Sequence, residues 1–283
     1  MSTVVADRFG SGVAVVTGAG SGLGAAMAEH LAAQGVHVVV TDIDRERADA
    51  VAAACVADGG SAEAHRLDVA DGDQVDALFA ALWAKHGDVD LVVSNAGIES
   101  GDRVLDMTPA QWRAVLAVNT DGAFHCARSA VGRMADQERP GVLAIVASTG
   151  AVTSLPYQSA YVASKHAALA LAQCLDLELH AAETPVQVSA LLPNWVRTRI
   201  FDDVRRGGVP AHPDARATFE RMAASVQEHG MDPHRAAELL LAAVARGDFW
   251  CFTDPERTTQ LFEERARTLL DLRPPARPGW LTA

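Results

Sequence analysis

A chain of 283 residues, 49% of them hydrophobic, has material for one large domain with an ample core, and its formal charge of −12 at pH 7 argues against nucleic acid as a partner. No run of 18 apolar residues occurs, so no transmembrane helix and no membrane partner are expected. Residues 1–12 lack the basic start and long apolar stretch of a signal peptide, and the expected location is cytoplasmic.

The first strand-like run, Val13–Thr17, flows into Gly18-Ala19-Gly20-Ser21-Gly22-Leu23-Gly24, and an alanine-rich helical stretch follows at 22–34. Strand, glycine turn and helix give a pyrophosphate a place to lie on backbone N–H groups with no Cβ in the way. The spacing is G-x-x-x-G-x-G, and a purely structural turn is the alternative. A second run, 36–41, ends at Asp42, 18 residues past Gly24, where a carboxylate can accept from adenine ribose hydroxyls and repel a 2′-phosphate. No Arg or Lys lies between Gly18 and Asp42, so NAD is favoured over NADP; Arg45 and Arg47 fall on the next helix. A plain strand-end or capping role for Asp42 stays open.

Further runs near 61–67, 89–94, 141–148, 185–192 and 249–253 alternate with helical stretches at 44–57, 71–86, 108–136, 159–182 and 233–245. This rhythm predicts an α/β, Rossmann-type, doubly wound parallel sheet of seven strands with helices on both faces, in a single domain, 1–283. Residues 199–232 break the rhythm: a loop at 205–210 and a short helix at 214–227 predict a substrate lid at the strand C-termini. The proline-rich 273–283 reads as an extended tail. Cys55, Cys126, Cys174 and Cys251 show no C-x-x-C spacing and read as small, buried or half-buried residues. The ten histidines show no His-x-x-x-His and no Cys/His cluster, so no metal site is expected.

Only two tyrosines and two lysines occur, and one of each forms Tyr161-Val162-Ala163-Ser164-Lys165. Four apart on a helix, phenol and ammonium share a face, and a cation there favours phenolate, which suits proton transfer near neutral pH. The bland alternative is a surface lysine beside a half-buried tyrosine.

Together these residues resemble the classical short-chain dehydrogenases/reductases over about 11–198, with weaker agreement to about 253. Thr17-Gly18-x-x-x-Gly22-x-Gly24 is similar to the family's cofactor loop, and Asn95-Ala96-Gly97 to its Asn-Ala-Gly motif. Asn119 matches its structural and proton-relay asparagine, and Ser148 its catalytic serine, 13 residues before Tyr161. Pro193-Asn194-Trp195-Val196-Arg197-Thr198 matches Pro-Gly-x-Val-x-Thr except at Asn194, a residue tolerant of left-handed backbone.

The resemblance implies a catalytic set of Asn119, Ser148, Tyr161 and Lys165. It also implies NAD held by Gly18, Ser21, Gly22, Leu23, Gly24, Asp42, Ile43, Asp68, Val69, Asn95, Ala96, Gly97, Tyr161, Lys165, Pro193, Val196 and Thr198. Asp68 takes the adenine contact, with a helix N-cap as the compatible alternative. Substrate would meet Ser148, Tyr161, Val152, Tyr157, Asn194 and Trp195, with Ile98, Glu99 and Gly150 nearby and Ile200, Phe201, Val204, Phe219 and Met222 from the lid. This mostly apolar set favours a bulky hydrophobic or aromatic secondary alcohol or ketone. The rival readings are an NADPH-dependent carbonyl reductase and a non-catalytic NAD(H) sensor. Apolar residues around helices 108–136 and 159–182 (Val115, Leu116, Phe124, Leu169, Leu171, Leu175) and the aromatic Phe249-Trp250-Cys251-Phe252 predict a homo-oligomer, a tetramer.

Overall fold

The computed structural model describes residues 4–200 and 210–275. Seven strands, all parallel, form one sheet in the order β3-β2-β1-β4-β5-β6-β7. They are β1 (Val13–Thr17), β2 (His37–Asp42), β3 (Ser61–Arg66), β4 (Leu91–Ser94), β5 (Val142–Val146), β6 (Gln187–Leu192) and β7 (Trp250–Phe252). Their order of β-branched and aliphatic residues follows from burial on both faces. In β1, Ala14 and Val16 point to one apolar layer, and Val13 and Val15 to the other.

The first layer is built by α1 (Val4–Phe9), α2 (Gly22–Ala33), α3 (Arg45–Ala57) and α9 (Pro233–Arg246). The second is built by α4 (Gly72–His86), α6 (Gly122–Met134) and α7 (Ser159–Ala181), with α10 (Pro255–Leu270) contributing Leu261 and Phe262 at its margin. Between them in the chain lie α5 (Pro109–Leu116) and α8 (Pro213–His229). Helix starts carry their own stop and start chemistry. Asp44, Asp71, Asp232 and Asp254 each accept backbone N–H groups at an N-terminus, and Thr108 with Gln111 forms a capping box before α5. Each such cap stabilises its helix by about 1 kcal/mol.

Four expectations need correction. Helices α1 and α10 were not expected; α10 begins at Asp254-Pro255, an N-cap followed by proline at N1. The stretch 108–136 is not one helix: a π-helical turn at Ala117–Asp121 separates α5 from α6. Cys174 is exposed, whereas Cys55, Cys126 and Cys251 are buried; all four are free. Finally, the histidines are not all scattered: His37, His65 and His86 converge on Glu63.

The sheet reverses its winding at β1, which pairs with β2 on one side and β4 on the other. A crevice opens beyond the strand C-termini at such a point. The glycine turn follows β1, Asp42 ends β2, Asn95 follows β4, Ser148 follows β5 and Pro193 follows β6.

Candidate active site

At that edge lies a cleft of about 540 Å³. Its floor at one end is the glycine turn. Gly18 has φ +62°, and a Cβ on it would come 2.7 Å from the Ala96 Cα. Gly22 has φ +58° and faces Thr198, whose Cβ a side chain on Gly22 would approach to 3.1 Å. Both positions need glycine, for backbone sign and for room. Ser21 caps α2 without using its hydroxyl on the helix, so the first amides of α2 open onto a cradle of the kind that suits a phosphate.

Asn95, on the cleft wall, also holds this turn in place. Its Nδ2 donates to the carbonyls of Thr17 (2.8 Å) and Gly18 (3.1 Å), while its own N–H donates to Thr17 Oγ1 (3.0 Å). Asp42 closes the far side. Its Oδ2 accepts from Gly20 N (2.9 Å) and its Oδ1 from Asp44 N (2.9 Å), which aims the carboxylate along the cleft wall. Arg47 lies on the same wall, its Nε 3.1 Å from Asp44. Asp68 lines the cleft with Val69 and accepts from Ala70 N (3.0 Å); the α4 N-cap is Asp71, so the capping alternative for Asp68 is not met.

The opposite end gathers Ser148, Tyr161 and Lys165. The Ser148 hydroxyl accepts from Gly150 N (2.9 Å) and lies with the Tyr161 ring beside Gly150. Lys165 Nζ donates to the Val146 carbonyl (2.9 Å) and lies 5.8 Å from the Tyr161 ring centroid. Asn119 stands behind this wall, on the π turn. Its Oδ1 accepts from Ile98 N (2.8 Å), and its Nδ2 donates to Ile98 O (2.9 Å) and Ser164 Oγ (2.9 Å). Ser164 in turn donates to the Tyr161 carbonyl (2.7 Å). It therefore links Asn119 to the Tyr161 backbone, a supporting part that its place on the helix did not suggest.

A buried acid joins the group. Glu99 accepts from Gln158 Nε2, and burial pushes its pKa up to about 8 against the pull of that bond and of Lys165. Burial pushes Lys165 down to about 8, with Glu99 opposing. The Tyr161 phenol is raised above its ordinary value by burial and then by Glu99, with Ser148 opposing. The expected lowering of Tyr161 by Lys165 is therefore not what this arrangement produces: the ammonium is spent on Val146, and desolvation dominates.

Among the substrate candidates, Ile98, Glu99, Gly150, Asn194, Trp195, Ile200 and Met222 line the cleft. Val152 instead packs in the second apolar layer. Tyr157 and Phe219 stay off the wall, with Phe219 filling the space beside Gly101. Phe201 and Val204 lie outside the described residues. Leu155, Gln158 and Val226 line the cleft without having been expected. Asn194 has no left-handed backbone; its N–H donates to Thr253 Oγ1 (2.9 Å), so it replaces glycine without strain. No helix among the described residues is long and apolar enough to cross a membrane.

The short chain dehydrogenase family model matches residues 12–207. A 3beta-hydroxysteroid dehydrogenase 1 of Eggerthella lenta is 36% identical over 209 residues, covering 74% of this chain and 77% of that protein. A probable oxidoreductase EphD of Mycobacterium tuberculosis is 38% identical over 192 residues, 68% of this chain; the match spans only 32% of that longer relative. A short chain dehydrogenase/reductase from Burkholderia phymatum, solved with NAD, superposes with a TM-score of 0.91 at 30% identity, covering 96% of this chain and 98% of the other. Another similar structure, a putative NAD(P) dependent gluconate 5-dehydrogenase from Beutenbergia cavernae at 30% identity and TM-score 0.72, covering 87% and 96%, was solved with NADP bound at low occupancy. A nicotinamide dinucleotide thus fits both the cradle and the kin, and this chain belongs to the short-chain dehydrogenase/reductase family of oxidoreductases.

Proposed function

We propose that this protein is an NAD-dependent dehydrogenase that interconverts a secondary alcohol and a ketone, on a bulky hydrophobic or aromatic substrate. The observation that carries this reading is one cleft with a glycine cradle and Asp42 at one end and Ser148, Tyr161 and Lys165 at the other. The steroid-acting relative supports the substrate class, as do Ile98, Leu155, Trp195, Ile200, Met222 and Val226 on the wall.

The dinucleotide would rest its pyrophosphate on the amides of Gly18–Gly24 and its adenosine ribose on Asp42. Ile43, Asp68 and Val69 would flank the adenine side, Asn95–Gly97 the middle, and Pro193, Val196 and Thr198 the nicotinamide. Bound there, it would supply the hydride acceptor or donor. Tyr161 takes the proton from the substrate hydroxyl in oxidation and returns it in reduction. Ser148, beside the phenol, holds the substrate oxygen. Lys165 orients the ribose beside Tyr161, and Asn119 fixes the backbone of Ile98 behind them and positions the water of the proton relay. The described part of the lid segment, 210–232, covers the substrate end, as Met222 and Val226 of α8 support. Asp102 anchors that segment by accepting from Ala211 N (2.5 Å) and His212 N (3.2 Å). A cytoplasmic location accords with the reduced cysteines and the acidic charge.

Arg47 on the cleft wall favours an NADPH-dependent reductase, as does the NADP-bound similar structure. The pairing of Arg47 with Asp44 and the nearby Asp42 charge weigh against it. Absorbance at 340 nm with NAD or NADP and a panel of secondary alcohols tests the assignment. A higher kcat/KM with NADP overturns the cofactor choice. Tyr161→Phe keeps the ring and removes the proton carrier, so turnover should fall by at least about 10²-fold while NAD binding persists. Wild-type turnover in that variant, with chemistry limiting the rate, overturns the mechanism.

A further inference from the structure

Away from the cleft, on the face of β2 and β3 that packs against α4, lies a second constellation. His37 opens β2, Glu63 sits mid-strand on the edge strand β3, and His86 is the last residue of α4. Register explains the meeting: His37 pairs with Ser61 and Val39 with Glu63, so His37 and Glu63 share one sheet face. His86 Nε2 lies 3.0 Å and His37 Nε2 3.9 Å from Glu63 Oε1, and all three donor atoms are within 4.8 Å of one another.

We propose that His37, Glu63 and His86 form a site for a divalent first-row transition ion, zinc foremost. Two imidazoles and one carboxylate are a zinc set, and nitrogen donors disfavour magnesium and calcium. Tetrahedral zinc with bonds of about 2.0–2.1 Å keeps donors about 3.3 Å apart, a value bracketed by the 3.0 and 3.9 Å separations. The His37 Nδ1 is 2.7 Å from Ser61 Oγ. With that nitrogen donating to the serine, Nε2 keeps its lone pair, the arrangement that orients a metal-bound histidine. His37 Nε2 is in fact a buried atom without a hydrogen-bond partner, a lone pair left for the ion, and water would complete the fourth position.

Lys85 occupies the other oxygen, Oε2, leaving Oε1 to the ion; more than half exposed, it can turn to solvent. The C-terminus of α4 adds the negative end of a helix dipole. The ion takes the place of the proton between His86 and Glu63, which is released. Asp42 lies five residues beyond His37, about 16 Å along the strand, so the ion does not enter the reaction. It ties the edge strand and β2 to α4.

Zinc(II) titrated into chelator-stripped, untagged full-length protein should bind at one ion per chain and raise Tm by about 5 °C at a hundredfold excess over Kd. Cobalt(II) should give visible d–d bands without a thiolate charge-transfer band. His37→Gln and His86→Gln should each weaken zinc by at least about tenfold. Circular dichroism checks their folding, and if one is unfolded the other and the cobalt spectrum of the wild type decide. No binding at about 10 μM zinc, a thiolate band, or unchanged affinity in a folded variant overturns the site.

Discussion

At Glu99 a carboxyl is folded where a charge has almost no solvation, 5% exposed and bonded to Gln158. It ionises from an ordinary 4.5 when unfolded and near about 8 when folded. Between those values the unfolded chain has lost a proton that the native state keeps, so stability falls as pH rises from 4.5 to 8. Glu99→Gln keeps the oxygen that Gln158 bonds and removes the titration. The variant should gain on the wild type with rising pH, by on the order of a few kcal/mol at pH 8, in urea unfolding from pH 5 to 8. Because charged Glu99 also holds the Tyr161 phenol up, the alkaline rise of kcat/KM for alcohol oxidation should move to lower pH. A pH-independent stability difference would show that Glu99 is not neutral in the fold. This partnership spans 59 residues, as that of Asn119 with Ser164 spans 45. Spacing along the chain gives Tyr161 with Lys165, and Asp42 after its strand, because those relations are local; it is silent on pairs that only the sheet brings together.

The elements themselves follow the same division. The strands stand out as runs of valine, leucine and isoleucine because both faces are covered. The exceptions are the two edge strands: β7 is Trp250-Cys251-Phe252, and β3 is half-exposed, its Glu63 and His65 carrying no apolar alternation. Their meeting with His37 and His86 was therefore hidden. The π turn at Ala117–Asp121 was equally hidden, since one extra residue in a helix leaves the apolar period nearly intact. Helix α10 carried a readable start at Asp254-Pro255, but its surface is rich in Arg and Glu, and only Leu261 and Phe262 reach the second layer. Phe262 matters most: its ring centroid lies 5.6 Å from Trp250 and 6.3 Å from Phe252, edge-on to both. Phe262→Ala should cost about 2 kcal/mol, or about 5 °C in Tm, and speed amide exchange in β7. An unchanged Tm with unchanged exchange would mean that α10 does not hold the last strand.

At the scale of the molecule, that same contact changes the case for assembly. The aromatic residues of β7, read as a surface for another subunit, are covered in part by the chain's own α10, leaving Trp250 38% exposed. Of the helix residues read the same way, Val115 and Leu169 are in the core, and Leu171 and Leu175 pack against it. Phe124 remains 49% exposed, joined by Trp112 at 37% and Leu177 at 68%. They lie on α6, α5 and α7, and both α5 and α6 pack against α7. Three large apolar groups on adjoining helices call for cover, and a two-fold axis gives each copy the same cover. Light scattering at micromolar concentration should give a multiple of 29.8 kDa, fourfold if Trp250 with the exposed Leu269 and Leu270 of α10 forms a second contact. Phe124→Glu with Leu177→Glu should halve that mass while leaving circular dichroism unchanged, because neither residue is in the core. A wild-type monomer would reject self-association, and a dimer that survives both substitutions would move the interface away from these helices.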